Sequence, residues 1–327
     1  MFQKNFSFII TLLLLFSCGD NNEDIIEEDV ISVSAVNFIN EIIDIMEFNS
    51  LNRNGIDWSD FRSQVFEAAG QAQSIEEVYN SGAIKKALSL LDDNHSFISR
   101  ENGQFISAST AVCPLVQPSR PDIPEDIGYI FIRGFSSSNE EEIIAFAQGL
   151  QDVIRDKDSS NLKGWIVDLR VNTGGNMWPM LAGIGPILGE GIAGYFIGAN
   201  GDETSWEFSQ GKAISGFNTI IDIQDSYNLI NPNPKVAVLL DNATASSGEV
   251  MAISFINRDN SASFGTSTCG LSTGNTSFSL SDNSNLLLTT VVLADRQKNT
   301  FGDRIIPNFE ASEDEIIARA IEYIRND

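Results

Sequence analysis

Three short segments hold residue types that could do chemistry. The chain's one histidine, His95, lies in Leu91-Asp92-Asp93-Asn94-His95-Ser96-Phe97. An imidazole ionises near neutrality and can serve as a general base, though a lone histidine is equally at home in a core or on a surface. The second segment is Val236-Ala237-Val238-Leu239-Leu240-Asp241-Asn242-Ala243-Thr244-Ala245-Ser246-Ser247-Gly248-Glu249-Val250. An apolar run ends in small residues and a helix opens near Ser247. A serine at such a junction sits at the positive end of a helix, where its oxygen is accessible and the next N–H can face a developing oxyanion. Ser246 or Ser247 reads just as well as a plain N-cap, with Glu249 favoured in the first turn by the helix dipole. The third segment, Val167-Asp168-Leu169-Arg170-Val171-Asn172-Thr173-Gly174-Gly175, is a strand running into polar residues and a glycine pair. Glycines there let the backbone turn tightly and point N–H groups into a crevice. No Gly-Lys-Ser/Thr follows, so it is not a P-loop.

Composition narrows the field. A single histidine excludes mechanisms with two imidazoles and multi-histidine zinc sites. Cys18, Cys113 and Cys269 are far apart and form no CxxC motif. The acids are not spaced as an EF-hand loop, and no cofactor or metal motif is visible. With 20 Lys+Arg against 45 Asp+Glu, the formal charge is −25. That argues against nucleic acid as a partner, because displacing phosphate counterions needs a basic face, and against electrostatic attachment to anionic lipid.

The elements that must position these residues follow from periodicity. Residues 34–99 read as an N-terminal helical subdomain: Val36, Phe38, Ile39, Ile42, Ile43, Ile45 and Met46 recur at helical spacing, a second helix opens at Asp57-Trp58, and Ser74 with Glu77 forms a capping box. Residues 100–127 are polar and proline-rich and read as a loop linker. From Gly128 onward short apolar runs alternate with amphipathic helices, the mark of βαβ units. Strands are expected at Tyr129–Ile132, Trp165–Leu169, Val236–Leu240, Ala262–Gly265 and Leu286–Leu293, and helices at Glu140–Arg155, Gly248–Ile256 and Glu313–Ile324. Tyr195–Ile197 and Ser205–Phe208 read as a hairpin. Residues 128–327 would form the catalytic domain.

The N-terminus reads as an address. Lys4 precedes a short apolar run, Phe8 to Phe16, too short to span a bilayer comfortably and suited to a signal peptide. Leu15-Phe16-Ser17-Cys18 resembles the lipobox of bacterial lipoproteins, which implies removal of residues 1–17 and lipidation of Cys18; an ordinary signal peptide is the alternative. Residues 18–33 are acidic and read as a solvated tether. The acids after Cys18 are similar to the surface-export signal of Bacteroidetes lipoproteins. The expected location is the bacterial cell envelope, lipid-anchored, periplasmic or on the outer-membrane surface. In such an oxidising compartment Cys113 and Cys269 form a disulfide or remain two buried thiols.

Taken together, the three segments resemble the tail-specific, or C-terminal processing, serine proteases, including the core of the tricorn protease. The likeness spans roughly residues 55–310. Asp-Leu-Arg-x-Asn-x-Gly-Gly and Thr-Ala-Ser-Ser-Gly-Glu occur in the family's order, followed by Phe264-Gly265-Thr266-Ser267-Thr268-Cys269-Gly270; Asp295-Arg296 and Ile306-Pro307-Asn308 resemble its closing elements, with Asn308 in place of Asp. The resemblance implies a crotonase-like or Clp-like α/β fold with a mixed sheet and flanking helices. It makes Ser246, three residues before the glutamate, the nucleophile. Many members pair that serine with a lysine, but the matching position is Leu271. The tricorn-like branch uses a histidine, and His95 is the matching residue. The resemblance further implies oxyanion donors at the Ser247 N–H and the N–H of Gly174 or Gly175. The branch orients its histidine through an adjacent serine and a glutamate near the C-terminal strand; here Ser96 follows His95 and Asn94 precedes it, and the nearest acid to that strand is Asp303, which otherwise reads as a surface acid paired with Arg304. Many relatives insert a PDZ domain; residues 100–127 are too few for one, since domains need about 50 residues or more.

The expected function is an anchored serine endopeptidase acting on proteins or peptides outside the cytoplasm, without cofactor or metal. The alternatives are a non-catalytic ligand- or peptide-binding lipoprotein on the same scaffold and an esterase-like hydrolase.

Overall fold

The computed structural model describes residues 30–120 and 122–326 of the chain. The signal segment 1–17, Cys18 and residues 18–29 of the tether lie outside the described residues. From Ser32 onward the elements grow from local rules. Helix α1 (Val33–Asn49) starts where the Ser32 hydroxyl accepts the Ala35 N–H, and it buries Phe38, Ile39, Ile42, Ile43 and Met46. Helix α2 (Trp58–Ala69) is capped by the Asp57 carboxylate. Helix α3 (Ile75–Asn80) begins with the Ser74 hydroxyl accepting the Glu77 N–H at 3.2 Å. The Glu77 carboxylate reaches back to the Gln73 N–H rather than to Ser74. Helix α4 (Ala83–Leu90) completes the group.

Two short strands follow, β1 (Phe97–Ser99) and β2 (Phe105–Ser107), paired antiparallel. They correct two expectations: residues 97–99 are sheet rather than the end of a helical subdomain, and residues 100–127 are not all loop. Three-residue strands in polar surroundings leave almost no periodicity to read.

Next come β3 (Ile127–Phe131), α5 (Glu140–Lys157), β4 (Gly164–Asp168), α6 (Met177–Leu188), β5 (Gly191–Gly198), β6 (Glu203–Ser209), β7 (Lys212–Ser215) and β8 (Asn218–Asp222). The chain closes with β9 (Lys235–Leu240), α7 (Ser247–Phe255), β10 (Ser261–Gly265), β11 (Thr273–Ser279), β12 (Asn285–Asp295), β13 (Phe309–Glu310) and α8 (Ile316–Arg325). The expected strands and helices are all present, displaced at their ends by a residue or a few, and β5 and β6 pair as the expected hairpin with Tyr195 opposite Ser205. Helix α6 was not expected. All of its residues except Trp178 are buried, and it contains Pro186, so it shows no polar face and no helical period in the sequence.

The strands make two sheets, and the architecture is the expected mixed α/β arrangement. One sheet runs β13-β10-β9-β4-β3 and is parallel throughout. Every residue of β4 is buried, as a strand covered on both faces must be. The other sheet runs β2-β1-β12-β5-β6-β7-β8, with β11 on the far edge of β12, and its pairings are antiparallel. Between the sheets, α6 and α7 pack into one core with Trp165, Val167, Trp206 and Val238.

The helices α1–α4 do not close a core alone. Phe38, Ile42, Ile84, Leu88 and Leu91 pack with Ile98 of β1 and with Leu286 and Leu288 of β12. Leu288 is fully buried, so Leu288→Ala should cost ~2–5 kcal/mol through lost burial and the cavity left behind. Urea unfolding followed by helix and tryptophan signals should show a single, earlier transition. Separate transitions for helices and sheets would contradict the shared core.

Candidate active site

The parallel pairing of β4 with β9, Asp168 opposite Leu239, brings the carboxyl ends of both strands to one edge. The turn after β4 is held by its own side chains. Asp168 accepts from the Arg170 N–H, its Nε (2.9 Å) and its guanidinium terminus (2.7 Å), with both side chains fully buried. Arg170 goes on to Glu313 at 2.8 Å. Asn172 Oδ1 accepts the Gly174 N–H at 3.0 Å, and its carbonyl accepts the Ala245 N–H at 2.9 Å, which ties this turn to the one after β9.

At that second turn Ser246 has φ 52° and ψ −119°, a backbone region that L residues rarely occupy. The strain is fixed on both sides. The Ser246 N–H donates to Glu249 Oε2 at 2.9 Å, and its carbonyl accepts the Glu249 N–H at 2.8 Å. Gly174 presses against it: a Cβ there would fall 2.7 Å from the Ser246 Cβ, and Gly174 itself has φ +97°. Only glycine allows this approach.

The two serines differ. Ser247 is buried and its hydroxyl donates to the Gly175 carbonyl. Ser246 is half-buried and borders a cavity of about 880 Å³. Gly175 and Ser247 also line this cavity, and among the described residues neither N–H has a hydrogen-bond acceptor. The Gly174 N–H is spent on Asn172, so of the glycine pair it is Gly175 that offers a free donor.

His95 lines the same cavity. The loop carrying it is shaped by Asp93, whose carboxylate accepts the His95 and Ser96 N–H groups and the Ser96 hydroxyl. The His95 carbonyl accepts from Asn275 of β11 at 2.8 Å. Its Nδ1 lies 2.8 Å from the Thr273 hydroxyl, while Nε2 has no hydrogen bond among the described residues. His95 and Ser246 are not hydrogen-bonded to each other in this structure, so proton transfer between them needs the gap to close when substrate binds, as catalytic contacts often do.

Asp303, the acid expected to orient His95, makes no hydrogen bond to it in this structure. It is exposed, and its carboxylate accepts the neighbouring Arg304 N–H at 2.7 Å. The residue on Nδ1 is Thr273, which sequence reasoning missed. It opens β11 two places after Leu271, but a hydroxyl in a Ser/Thr-rich run gives no distinguishing signal. Ser96 bonds Asp93 and the Thr289 N–H, and Asn94 holds Thr110; neither touches the ring. Leu271, at the position the resemblance gives to a lysine, lines the cavity. Cys113 and Cys269 are joined in a disulfide, with Cα atoms 5.2 Å apart.

Among the described residues, none that lines the cavity is Asp, Glu, Lys or Arg. Aromatic and aliphatic groups face it, including Phe97, Phe105, Trp178, Phe196 and Leu287, between Ser, Thr and Asn side chains. Among the described residues no group of three or more His, Cys, Asp or Glu is placed to hold a metal ion.

The family model of peptidase family S41 matches residues 126–311. A nisin-resistance protein of Lactococcus lactis subsp. lactis is 26% identical over 83% of this chain and 80% of its own length. The structure of a lipoprotein from Streptococcus agalactiae superposes with a TM-score of 0.71 at 24% identity, covering 90% of this chain and 98% of that one. The photosystem II D1 C-terminal processing protease superposes with a TM-score of 0.56 at 15% identity, covering 88% and 97%.

Burial pushes the His95 imidazole down to about 4, against an opposing pull from Asp93. The ring is therefore neutral at pH 7 and above, and protonates only as pH falls through about 4. As the chain has one histidine, a 15N-histidine NMR titration reads it alone. The expected midpoint is near 4. Between pH 6.5 and 4 the unfolded chain binds a proton that the folded one lacks, so stability should fall as pH is lowered through that window. A midpoint at the ordinary value of about 6.5 would show the ring to be solvated.

Proposed function

Because this chain belongs to peptidase family S41, we propose that it is a serine endopeptidase in which Ser246 is the nucleophile and His95 the general base. The observation that carries the reading is the position of Ser246: a strained strand-to-helix turn opening on the same cavity as the chain's only histidine. With Nδ1–H donating to the Thr273 hydroxyl, the Nε2 lone pair is left to take the Ser246 proton as Oγ attacks the scissile carbonyl carbon. The carbonyl π pair moves onto oxygen, and the free N–H groups of Ser247 and Gly175 receive that oxyanion. Collapse breaks the C–N bond, and Nε2 returns its proton to the leaving amine. Water, activated by the same nitrogen, then releases the acyl group from Ser246 and restores both residues.

The cavity's lack of charged residues supports substrates whose side chains near the scissile bond are uncharged. The N-terminal pattern ending at Cys18 supports secretion and lipid anchoring in a bacterial envelope, with the acidic residues after Cys18 as spacer; the expected tether of 18–33 is too long at its far end, because Ser32 caps α1 and Val33 belongs to it. The likeness to a lipoprotein fits that location. Because one similar protein is named for nisin resistance, nisin belongs in the substrate panel beside unmodified peptides and esters.

A serine-directed fluorophosphonate should label wild-type protein on Ser246. Ser246→Ala should abolish labelling. His95→Ala should slow it by about 10²–10⁴-fold, the usual worth of a general base. Labelling that persists in Ser246→Ala would refute the nucleophile assignment. No labelling of folded wild-type protein would favour a binding function, and turnover of esters without peptides would favour an esterase.

A further inference from the structure

The site contains a buried charge that the reaction steps do not use. Glu249 is fully buried, and among the described residues it has no cationic partner. Its carboxylate instead accepts five donors: the Ser246 N–H (2.9 Å), the Thr268 hydroxyl (2.5 Å), the Gly270 N–H (3.0 Å), the Leu271 N–H (2.8 Å) and the Ser272 hydroxyl (3.1 Å), whose one proton is shared with the Asp303 carbonyl at 2.7 Å. A carboxylate in the first turn of a helix is ordinary, and the dipole explains it. Four donors from a single loop, 19 to 23 residues away in sequence, are not explained by capping. That loop leads directly into Thr273, whose hydroxyl sits on His95 Nδ1.

We infer that Glu249 is the positioning residue that couples the two halves of the site. One oxygen pair fixes the main chain of Ser246 and the loop that presents Thr273 to His95. This rests on the reading of Ser246 and His95 as nucleophile and base. The coupling is geometric. Moving loop 268–272 moves Thr273, and losing Thr273 frees the ring to rotate and to change the nitrogen that carries its proton. Releasing the Ser246 N–H relaxes the turn that aims Oγ and the Ser247 N–H. Leu271 fits the same account. Its side chain supplies no base, but its N–H is one of the five donors, so the position remains part of the site through its backbone. Cys269 lies at the centre of the loop, and its N–H donates to the Thr244 carbonyl at 2.8 Å. Together with the Cys113–Cys269 disulfide, this pins the loop at Cys269, so altering Glu249 should shift the part next to Thr273, residues 270–272, while the chain at Cys269 stays in place.

The test uses His95 as a reporter, because Glu249 makes no hydrogen bond to it. In 15N-histidine-labelled Glu249→Gln, an amide NH₂ replaces an acceptor and must face donors. The wild-type spectrum should show one nitrogen of pyrrole type and one of pyridine type; in Glu249→Gln the two should move toward each other as the tautomers mix. Fluorophosphonate labelling should slow by about 100-fold, the scale of an ångström's misplacement, in the bond-forming rate and not in reagent affinity. Adding Glu249→Gln to Thr273→Val should leave the His95 signals where Thr273→Val alone puts them. Thr268→Val, which removes one loop donor and keeps the bond to Ser246, should move the His95 signals in the same direction by less. It carries the test if Glu249→Gln does not fold. Unchanged His95 signals in a folded variant, with labelling within twofold of wild type, would overturn the proposal. Failure of wild-type protein to label would count against the nucleophile reading alone, since the His95 spectrum judges Glu249 independently.

Discussion

Two adjacent parallel strands, β4 and β9, end at the same edge of one sheet, and the turns that follow them are pressed together. Gly174 of the first turn meets Ser246 of the second so closely that a Cβ would stand 2.7 Å from the serine's own. Asn172 binds the two turns together, with its side chain on Gly174 and its carbonyl on Ala245. A strained residue persists only when its surroundings over-determine it. Here the surroundings are the close approach of the turns, the buried Asp168–Arg170 pair behind the first, and the carboxylate of Glu249 behind the second. The two free N–H groups follow from this contact, one on each turn.

The other half of the site comes from the antiparallel sheet. β12 is its spine, pairing with β1, β5 and β11 and lending Leu286 and Leu288 to the core of the N-terminal helices. The histidine loop precedes β1, and its partner Thr273 opens β11. Ser246 and His95 thus belong to different sheets, and what joins them is the loop from Thr266 to Ser272. That loop is clamped by Glu249 and by a disulfide to Cys113. Burial holds the Glu249 carboxyl above its ordinary range, against the hydrogen bonds from Thr268, Gly270, Ser246 and Ser272.

Much of this was legible in the sequence because the decisive signals were local. Trp165–Val167 and Val236–Leu240 are unbroken apolar runs, which marked the strands; the glycine pair and the small residues before Glu249 marked the turns. The family's motif order pointed to Ser246 and the scarcity of histidine to His95, and both residues line one cavity. What escaped was non-local or patternless. Helix α6 is buried nearly all round, so no period shows. β1 and β2 are too short to alternate visibly. Asp303 was chosen for its acid and its place near the last strand, but orientation of an imidazole needs only a hydroxyl at the right distance, and nothing in one sequence pairs Thr273 with a residue 178 positions away. Glu249 was visible as a helix-dipole acid, yet its four distant donors became apparent only once the loop was folded against it.

The claim on which the account stands is that Ser246, His95 and the N–H groups of Ser247 and Gly175 converge on one reacting centre. A crystal structure of the fluorophosphonate adduct tests it most directly. The account predicts a phosphonyl group on Ser246 Oγ, one oxygen about 3 Å from both N–H groups, and His95 Nε2 turned within hydrogen-bonding reach of Oγ with Nδ1 still on Thr273. An adduct on another side chain, a phosphonyl oxygen that meets neither N–H, or a His95 ring that stays out of reach would contradict it.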